Sequence, residues 1–501
     1  MLSLSDVVFR YYANGKHNAL DHVSLDIAEG KTTVLMGPSG CGKSTLAAVC
    51  AGLYPENGGY LEGGEILLCG TPLSTLNHQQ RAAYITLLFQ NPDLQFCMET
   101  LRQEMCFCLE NICVPPAEMS TRIAQTAVQL DLVPLLNRRL QTLSGGEKQK
   151  AALACLVLLD SRCLVLDEAF ANLDESAIHQ IRPLLARQKA RGKTIIAIDH
   201  RLDHWLELAD EIILLGQGGR VIQRGITRQN LAEFAPLFAQ QGLYYPRCGS
   251  VKNVHAAGAA AVTFRDVSIC APGAKRKEPG RALLSQANAE FPARSITAVL
   301  GPSGSGKTTA FLSLLRQHPY TGTITVGGED LATLRPKALF RRIGMVFQNP
   351  GNQFITQNVE EEIKSSLRIW EKGLTEDACR EKAHQMLEEF GLSPYRRVSP
   401  YMLSQGQQRR LAVLAVLAGG QQILLLDEPT YGQDFRSTQA IMTLLSRKVA
   451  QDGLTVILIT HDRALAAAWA DRIYRLENRK LLPVSPAELR REGGAICCWN
   501  G

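Results

Sequence analysis

A glycine-rich run of one type occurs twice in this 501-residue chain: Gly37-Pro38-Ser39-Gly40-Cys41-Gly42-Lys43-Ser44 and Gly301-Pro302-Ser303-Gly304-Ser305-Gly306-Lys307-Thr308. Both fit G-x-x-x-x-G-K-[ST], the pattern of a phosphate-binding loop. Other paired features keep nearly the same separation. Lys43 and Lys307 lie 264 residues apart, Asp167 and Asp427 260, His200 and His461 261. A near-constant offset across unrelated motifs marks a duplicated domain. The chain must therefore build two similar phosphate-handling units, and it is long enough to give each a core.

The sequence around each loop reads strand, loop, helix. Lys31 to Met36 and Ser295 to Leu300 are β-prone runs that end at glycine. Cys163 to Leu166, Thr194 to Ile198, Ile423 to Leu426 and Thr455 to Ile459 are continuous apolar runs, suited to a parallel sheet covered on both faces. Alternation at Val23, Leu25 and Ile27 predicts a half-exposed antiparallel strand. The stretches from Gln90 to Ser144 and from Gln348 to Ser404 predict a helical insert in each unit. Glycines, Pro246 and an alanine cluster place a linker at about 239–260. The expected organisation is thus a first domain over 1–238, a second over 261–482, and a tail over 483–501.

Glycines in the loop let backbone N–H groups wrap phosphates, and the following helix adds its positive end. Lys43 and Lys307 reach the β- and γ-phosphates; the hydroxyls of Ser44 and Thr308 are Mg²⁺ ligands. Each unit also has an apolar run ending in two acids, Asp167-Glu168 and Asp427-Glu428. At the C-terminal edge of a sheet, the first acid can hold the metal and the second can polarise a water for attack on the γ-phosphorus. An isolated acid pair would more often be a helix cap; beside a phosphate loop the catalytic reading prevails.

About 20 residues before each acid pair stand Leu143-Ser144-Gly145-Gly146-Glu147 and Leu403-Ser404-Gln405-Gly406-Gln407. These resemble the signature motif of ATP-binding-cassette ATPases, and the resemblance extends over the chain apart from linker and tail. It implies two P-loop α/β domains, each with a mostly parallel core sheet, an antiparallel β subdomain and a helical insert. It also implies that the halves face head to tail, each signature covering the other's ATP. One site then combines Lys43, Ser44, Gln90, Asp167, Glu168 and His200 with Ser404 and Gly406. The other combines Lys307, Thr308, Gln348, Asp427, Glu428 and His461 with Ser144, Gly145 and Gly146. Gln90 and Gln348 match the glutamine that touches Mg²⁺ and the attacking water, and His200 and His461 match the histidine that contacts the γ-phosphate. The loops, with Thr45 and Thr309 next in line, bind the nucleotide, and Tyr11 or Tyr12 stacks on adenine. Asp174 and Asp434 match the loop that crosses between domains.

The two halves depart from the pattern differently. Val267 to Ala271, aligned with the adenine aromatic, contains no ring, so the second site is expected to bind ATP more weakly or less selectively. Gln405 stands where the signature has glycine; its side chain either crowds the γ-phosphate or supplies a substitute donor. Fourteen cysteines include no paired C-x-x-C pattern and read as buried thiols, with Cys41 a candidate for thiol sensitivity of the first site.

Phe89-Gln90-Asn91-Pro92-Asp93-Leu94-Gln95-Phe96 and Phe347-Gln348-Asn349-Pro350-Gly351-Asn352-Gln353-Phe354 are similar to the segment of energy-coupling-factor importers that faces the membrane scaffold. That likeness implies a transmembrane coupling protein and a small substrate-capturing membrane protein as partners, with vitamins, their precursors or transition-metal ions as cargo. N-P-x-x-Q is also an ordinary turn with a helix cap. No apolar run is long enough to span a bilayer, and the N-terminus lacks a leader pattern. A peripheral position on the cytoplasmic face of the membrane is expected. A net charge of +6 without a basic block gives no reason to expect nucleic acid. Two other readings stand: a tandem cassette protein acting on ribosomes, disfavoured by the short uncharged linker, and the fused ATPase of a sugar importer, disfavoured by the intact second loop.

Overall fold

The computed structural model describes residues 1–15, 17–170, 173, 175–245, 255, 258–271, 280–302, 304–430 and 433–492. The chain divides into two compact units, Met1–Tyr245 and Pro246–Gly501.

The strands of the first unit are β1 (Leu2–Arg10), β2 (Leu20–Ile27), β3 (Thr32–Met36), β4 (Tyr60–Leu68), β5 (Thr71–Pro72), β6 (Ile85–Leu88), β7 (Cys163–Asp167), β8 (Thr194–Ile198), β9 (Glu211–Leu215) and β10 (Val221–Ile226). The helices that matter for the site are α1 (Lys43–Cys50), α2 (Leu101–Asn111), α3 (Pro116–Gln129) and α4 (Gly145–Leu158). The core sheet has the order β10-β9-β3-β8-β7-β6 and is parallel except for β10. Its central strands are apolar at nearly every position because both faces are covered. Val34 and Met36 point into a cluster with α2, α3 and α4, whereas Leu35 points into one with β1, β2 and α1. The second cover is the antiparallel sheet β2-β1-β4-β5, in which Val23, Leu25 and Ile27 are buried as their alternation predicts.

The second unit repeats this plan. Its strands are β11 (Ala260–Cys270), β12 (Ala282–Pro292), β13 (Ile296–Leu300), β14 (Thr321–Val326), β15 (Glu329–Asp330), β16 (Ile343–Val346), β17 (Ile423–Asp427), β18 (Thr455–Thr460), β19 (Arg472–Glu477) and β20 (Lys480–Val484). They form a core sheet β16-β17-β18-β13-β19-β20 and an antiparallel sheet β12-β11-β14-β15. The helices that matter for the site and the chain end are α5 (Lys307–Leu314), α6 (Val359–Trp370), α7 (Glu376–Glu389), α8 (Gln405–Leu417) and α9 (Pro486–Glu492). The fold is α/β, with a helical insert of two helices in each half, as the resemblance implies.

The first unit runs on past 238, and the second begins before 261 and runs on past 482. Past Phe238 a helix runs on to Gln241 and stops at Gly242 in the left-handed region, after which Leu243 and Tyr244 are buried. Gly242 is a helix stop rather than the start of a linker. Half of the expected linker lies outside the described residues, but His255 is pinned to the second unit. Its Nδ1 lies 2.9 Å from Asp471 Oδ2 and its Nε2 3.0 Å from Ser446 Oγ. Past Leu482, β20 continues to Val484 and α9 buries Leu489 completely. Leu489→Ala should therefore cost about 2–5 kcal/mol in urea unfolding of the full chain. An unchanged midpoint would mean that this segment adds nothing to the second unit.

Candidate functional site

The phosphate loops follow directly from β3 and β13. Gly40 and Gly42 take φ of 78° and 104°, and Gly304 and Gly306 take 72° and 102°, values that side chains with a Cβ rarely adopt. Space is equally strict. A Cβ on Gly37 would stand 2.5 Å from the Leu215 carbonyl oxygen, and one on Gly42 would stand 2.6 Å from that of Ala19. On Gly301 the carbonyl oxygen of Leu476 would lie at 2.9 Å. Lys43 Nζ donates to the carbonyls of Gly37 at 2.7 Å and Pro38 at 2.9 Å, and Lys307 Nζ repeats both bonds on Gly301 and Pro302. Each ammonium thus sits at the mouth of its own loop.

Strands β7 and β17 bring the acids to the same edge. Asp167 is hydrogen-bonded to Ser44, and Thr308 donates to Asp427 at 2.7 Å, so hydroxyl and carboxylate form one hydrogen-bonded pair in each half. Asp167 Oδ1 is buried with no hydrogen-bond partner. Burial pushes its carboxyl up to about 6, against the pull of Ser44. A buried, unpartnered anionic oxygen beside a hydroxyl fits a hard divalent cation with oxygen ligands.

The second acid of each pair is shaped by its backbone. Glu168 and Glu428 take φ of 52° and 49°, and their N–H groups donate to the Ile198 carbonyl at 2.8 Å and the Ile459 carbonyl at 3.0 Å. Left-handed backbone at a glutamate is costly, and it turns the side chain off the strand end toward the neighbouring strand's histidine. His200 Nε2 lies 3.0 Å from Glu168 Oε1, and Gln90 donates to Glu168 Oε2 at 2.9 Å. Burial raises the carboxyl's pKa, but the hydrogen bonds and charge of His200, with Gln90 and Lys43, outweigh it and leave Glu168 below its usual range. It is therefore an anion at neutral pH. In the second half, His461 Nδ1 lies 3.0 Å from Glu428 Oε2, whereas Gln348 is exposed and makes no bond to Glu428.

The structure thus brings Lys43, Ser44, Asp167, Glu168, Gln90 and His200 together, and Lys307, Thr308, Asp427, Glu428 and His461. Ser144 and Ser404 cap α4 and α8, accepting from the N–H of Glu147 and Gln407, and Ser144, Gly145, Ser404 and Gln405 are exposed. A Cβ on Gly406 would meet Gln433 Oε1 at 2.7 Å. Tyr11 is 44% exposed, and its hydroxyl lies 2.7 Å from Thr45 Oγ1, which fixes the ring to the first turn of α1. Asp434 caps the helix after its acid pair through Ser437 N–H. Ser303 and Asp174 lie outside the described residues. The Cys41 thiol is fully buried and burial pushes its pKa up, so the expected thiol sensitivity is not supported.

Several features escaped the sequence reading. Tyr54 packs edge-on against Tyr11 at 5.7 Å; at the end of β11, His318 Nε2 bonds the Cys270 carbonyl at 2.7 Å. Behind His200, Asp199 is buried with Trp205 Nε1 on its Oδ2 at 2.8 Å, and Phe170 packs on Trp205 at 4.7 Å. Gln149 and Arg409 are buried at matching places in α4 and α8, a neutral side chain in one half and a cation in the other. The F-Q-N-P segments are compact turns. Asn91 accepts from Asp93 N–H and Gln95 from Phe89 N–H, and Asn349 and Gln353 repeat the pattern. The asparagine and second glutamine of each motif hold the turn itself, and Leu94 and Ile355 are left exposed.

The sequence profile of the ABC transporter family matches residues 20–171 and 284–431. The ATP-binding protein YkoD of Bacillus subtilis (strain 168), provisionally named for HMP/thiamine import, is 32% identical over 98% of this chain and 92% of its own length. A Methanosarcina acetivorans protein, provisionally named an ABC transporter ATP-binding protein, is 31% identical over 93% of this chain and 83% of its own. Among solved structures, an RNase-L inhibitor matches 98% of this chain and 93% of its own at a TM-score of 0.67 and 20% identity, a likeness of fold alone.

Folded Asp167 holds its proton up to about pH 6, the unfolded carboxyl only to about 4. This group therefore favours folding increasingly as pH falls through that window, and at neutral pH it costs roughly 2–3 kcal/mol. Asp167→Asn should raise the unfolding temperature of the nucleotide-free chain at pH 7 and lose part of the extra stabilisation by Mg²⁺ and ATP. Scanning calorimetry with and without Mg²⁺-ATP reads both effects.

Proposed function

The chain belongs to the ABC transporter family, with the family's ATPase domain present twice, and on that premise we propose that it energises an importer of the energy-coupling-factor type. It is an ATPase, and no helix among the described residues is long and apolar enough to cross a membrane. Passage of cargo then falls to a transmembrane coupling protein and its capture to a small membrane protein, with this chain peripheral on the cytoplasmic face. The observation that carries the proposal is the similarity to YkoD over nearly the full length of both chains, since that relative's name concerns HMP/thiamine import. A vitamin or vitamin precursor is accordingly the cargo class favoured, ahead of transition-metal ions.

The chemistry follows from the side chains. Lys43 and Lys307 take the β- and γ-phosphates. Ser44, Asp167 and Gln90 in one half, and Thr308, Asp427 and Gln348 in the other, would hold Mg²⁺, which when bound neutralises phosphate charge. Anionic Glu168 orients a water and accepts its proton while the water oxygen bonds to the γ-phosphorus and the bond to the β-phosphate oxygen breaks. His200 holds Glu168 from the other side and faces the γ-phosphate; Glu428 and His461 do the same in the second half. Ser144, Gly145 and Gly146 cover the nucleotide of the second loop, and Ser404 and Gly406 that of the first. ATP draws the halves together, hydrolysis lets them part, and fusion in one chain keeps each at high effective concentration near the other.

The likeness to a solved structure is one of fold alone and carries no ribosome-directed role, and the intact second loop does not suit the sugar-importer reading. Affinity purification from solubilised membranes decides between them. Co-purifying small integral membrane proteins are expected; recovery with ribosomal particles would contradict the import role. Glu168→Gln and Glu428→Gln, made singly, should each cut hydrolysis at its own site about 100-fold or more in single-turnover assays, and full activity in either variant would contradict the requirement for both glutamates.

A further inference from the structure

The chain between Gln90 and the helical insert is held by an acid that no motif requires. Glu104, in the first turns of α2, is 4% exposed, and its Oε2 accepts from the N–H groups of Cys97 at 2.9 Å and Met98 at 2.8 Å. Glu362 in α6, also 4% exposed, accepts from Ile355 N–H at 3.1 Å, Thr356 N–H at 2.9 Å and Thr356 Oγ1 at 2.7 Å. Neither acid is the helix cap. Thr100 caps α2 and Asn358 caps α6. Packing alone would be served by an apolar side chain, because burying a carboxylate is costly unless hydrogen bonds compensate it. Here both copies of the domain spend that cost on two consecutive backbone N–H groups directly after the F-Q-N-P-x-x-Q-F turn.

The other end of the turn is closed as well, by Phe89 N–H on Gln95 Oε1 at 3.4 Å and Phe347 N–H on Gln353 Oε1 at 3.1 Å. Gln90 and Gln348 therefore sit inside a clipped segment whose far end is fastened to the insert by charge-assisted bonds. A slack connection would absorb a shift of the insert; this one passes it on. We propose that Glu104 and Glu362 are positioning residues that tie the insert to the active-site glutamine, so that displacement of α2 or α6 advances or withdraws Gln90 or Gln348. The inference rests on Gln90 as the glutamine that serves hydrolysis.

The test uses the full chain without partners, so a failure of the import reading leaves it intact. Glu104→Asp keeps the charge and withdraws the acceptor by one methylene; Glu104→Gln keeps the reach and an acceptor oxygen. The Asp variant should lower kcat for ATP hydrolysis roughly 10- to 100-fold with KM little changed, and the Gln variant should retain most of the rate. Gln90→Ala combined with Glu104→Asp should be no slower than Gln90→Ala alone. Additive losses, or a wild-type rate in Glu104→Asp, would overturn the proposal; a wild-type rate in Gln90→Ala would overturn the reading of Gln90 too. Amide exchange in the unaltered chain is a second measure that needs no variant. Cys97 and Met98 should exchange together with the first turn of α2, and exchange at the rate of an open loop would contradict the tie.

Discussion

Asp167 keeps one carboxylate oxygen buried and unpartnered at the end of a fully apolar strand, an arrangement that costs about 1–3 kcal/mol or more for a charged group. Folding leaves such a cost in place where a cation and its phosphates can repay it. Much of the surrounding architecture keeps that spot available. The parallel sheet delivers the acid to its C-terminal edge, the glycine loop curls beside it without Cβ atoms, and α1 starts where phosphate charge would lie. Glu168 adds a second strained element, since its left-handed backbone turns the carboxylate toward His200 and Gln90.

The duplicated motifs made most of this site legible in advance. Loop, acid pair, histidine and glutamine are close to their partners in sequence pattern, and continuous apolar runs such as Cys163 to Leu166 predicted the central strands because burial on both faces leaves no alternation to hide. What stayed hidden depends on tertiary neighbours. Nothing local says that Glu168 has positive φ, that Tyr54 supports Tyr11, or that Asp199 sits under Trp205. Glu104 and Glu362 look like ordinary first-turn helix acids until their burial is seen. The domain ends were misplaced for a related reason: Gly242 carries a turn signal whether it begins a linker or only stops a helix, and Leu489 is a tail residue until a core receives it.

The halves share a plan and differ in detail where chemistry is tuned. The first has Tyr11 bonded to α1, Gln90 on Glu168, and neutral Gln149; the second has the His318 imidazole on the Cys270 carbonyl at the end of β11, Gln348 exposed, and buried Arg409. Two of these differences, at Tyr11 and at Gln348, fall on groups proposed to hold nucleotide or water, while both lysines, both acid pairs and both histidines are kept. Such a pattern suits two working sites of unequal speed better than one working and one vestigial site.

The central proposal is that each nucleotide is clasped by a phosphate loop of one half and the signature serine of the other. Electron cryomicroscopy of the Glu168→Gln, Glu428→Gln double variant with Mg²⁺ and ATP tests it most directly. The account predicts Ser404 within hydrogen-bonding distance of the γ-phosphate at Lys43, and Ser144 likewise at Lys307. Two bound nucleotides with both serines remote from every phosphate would contradict it.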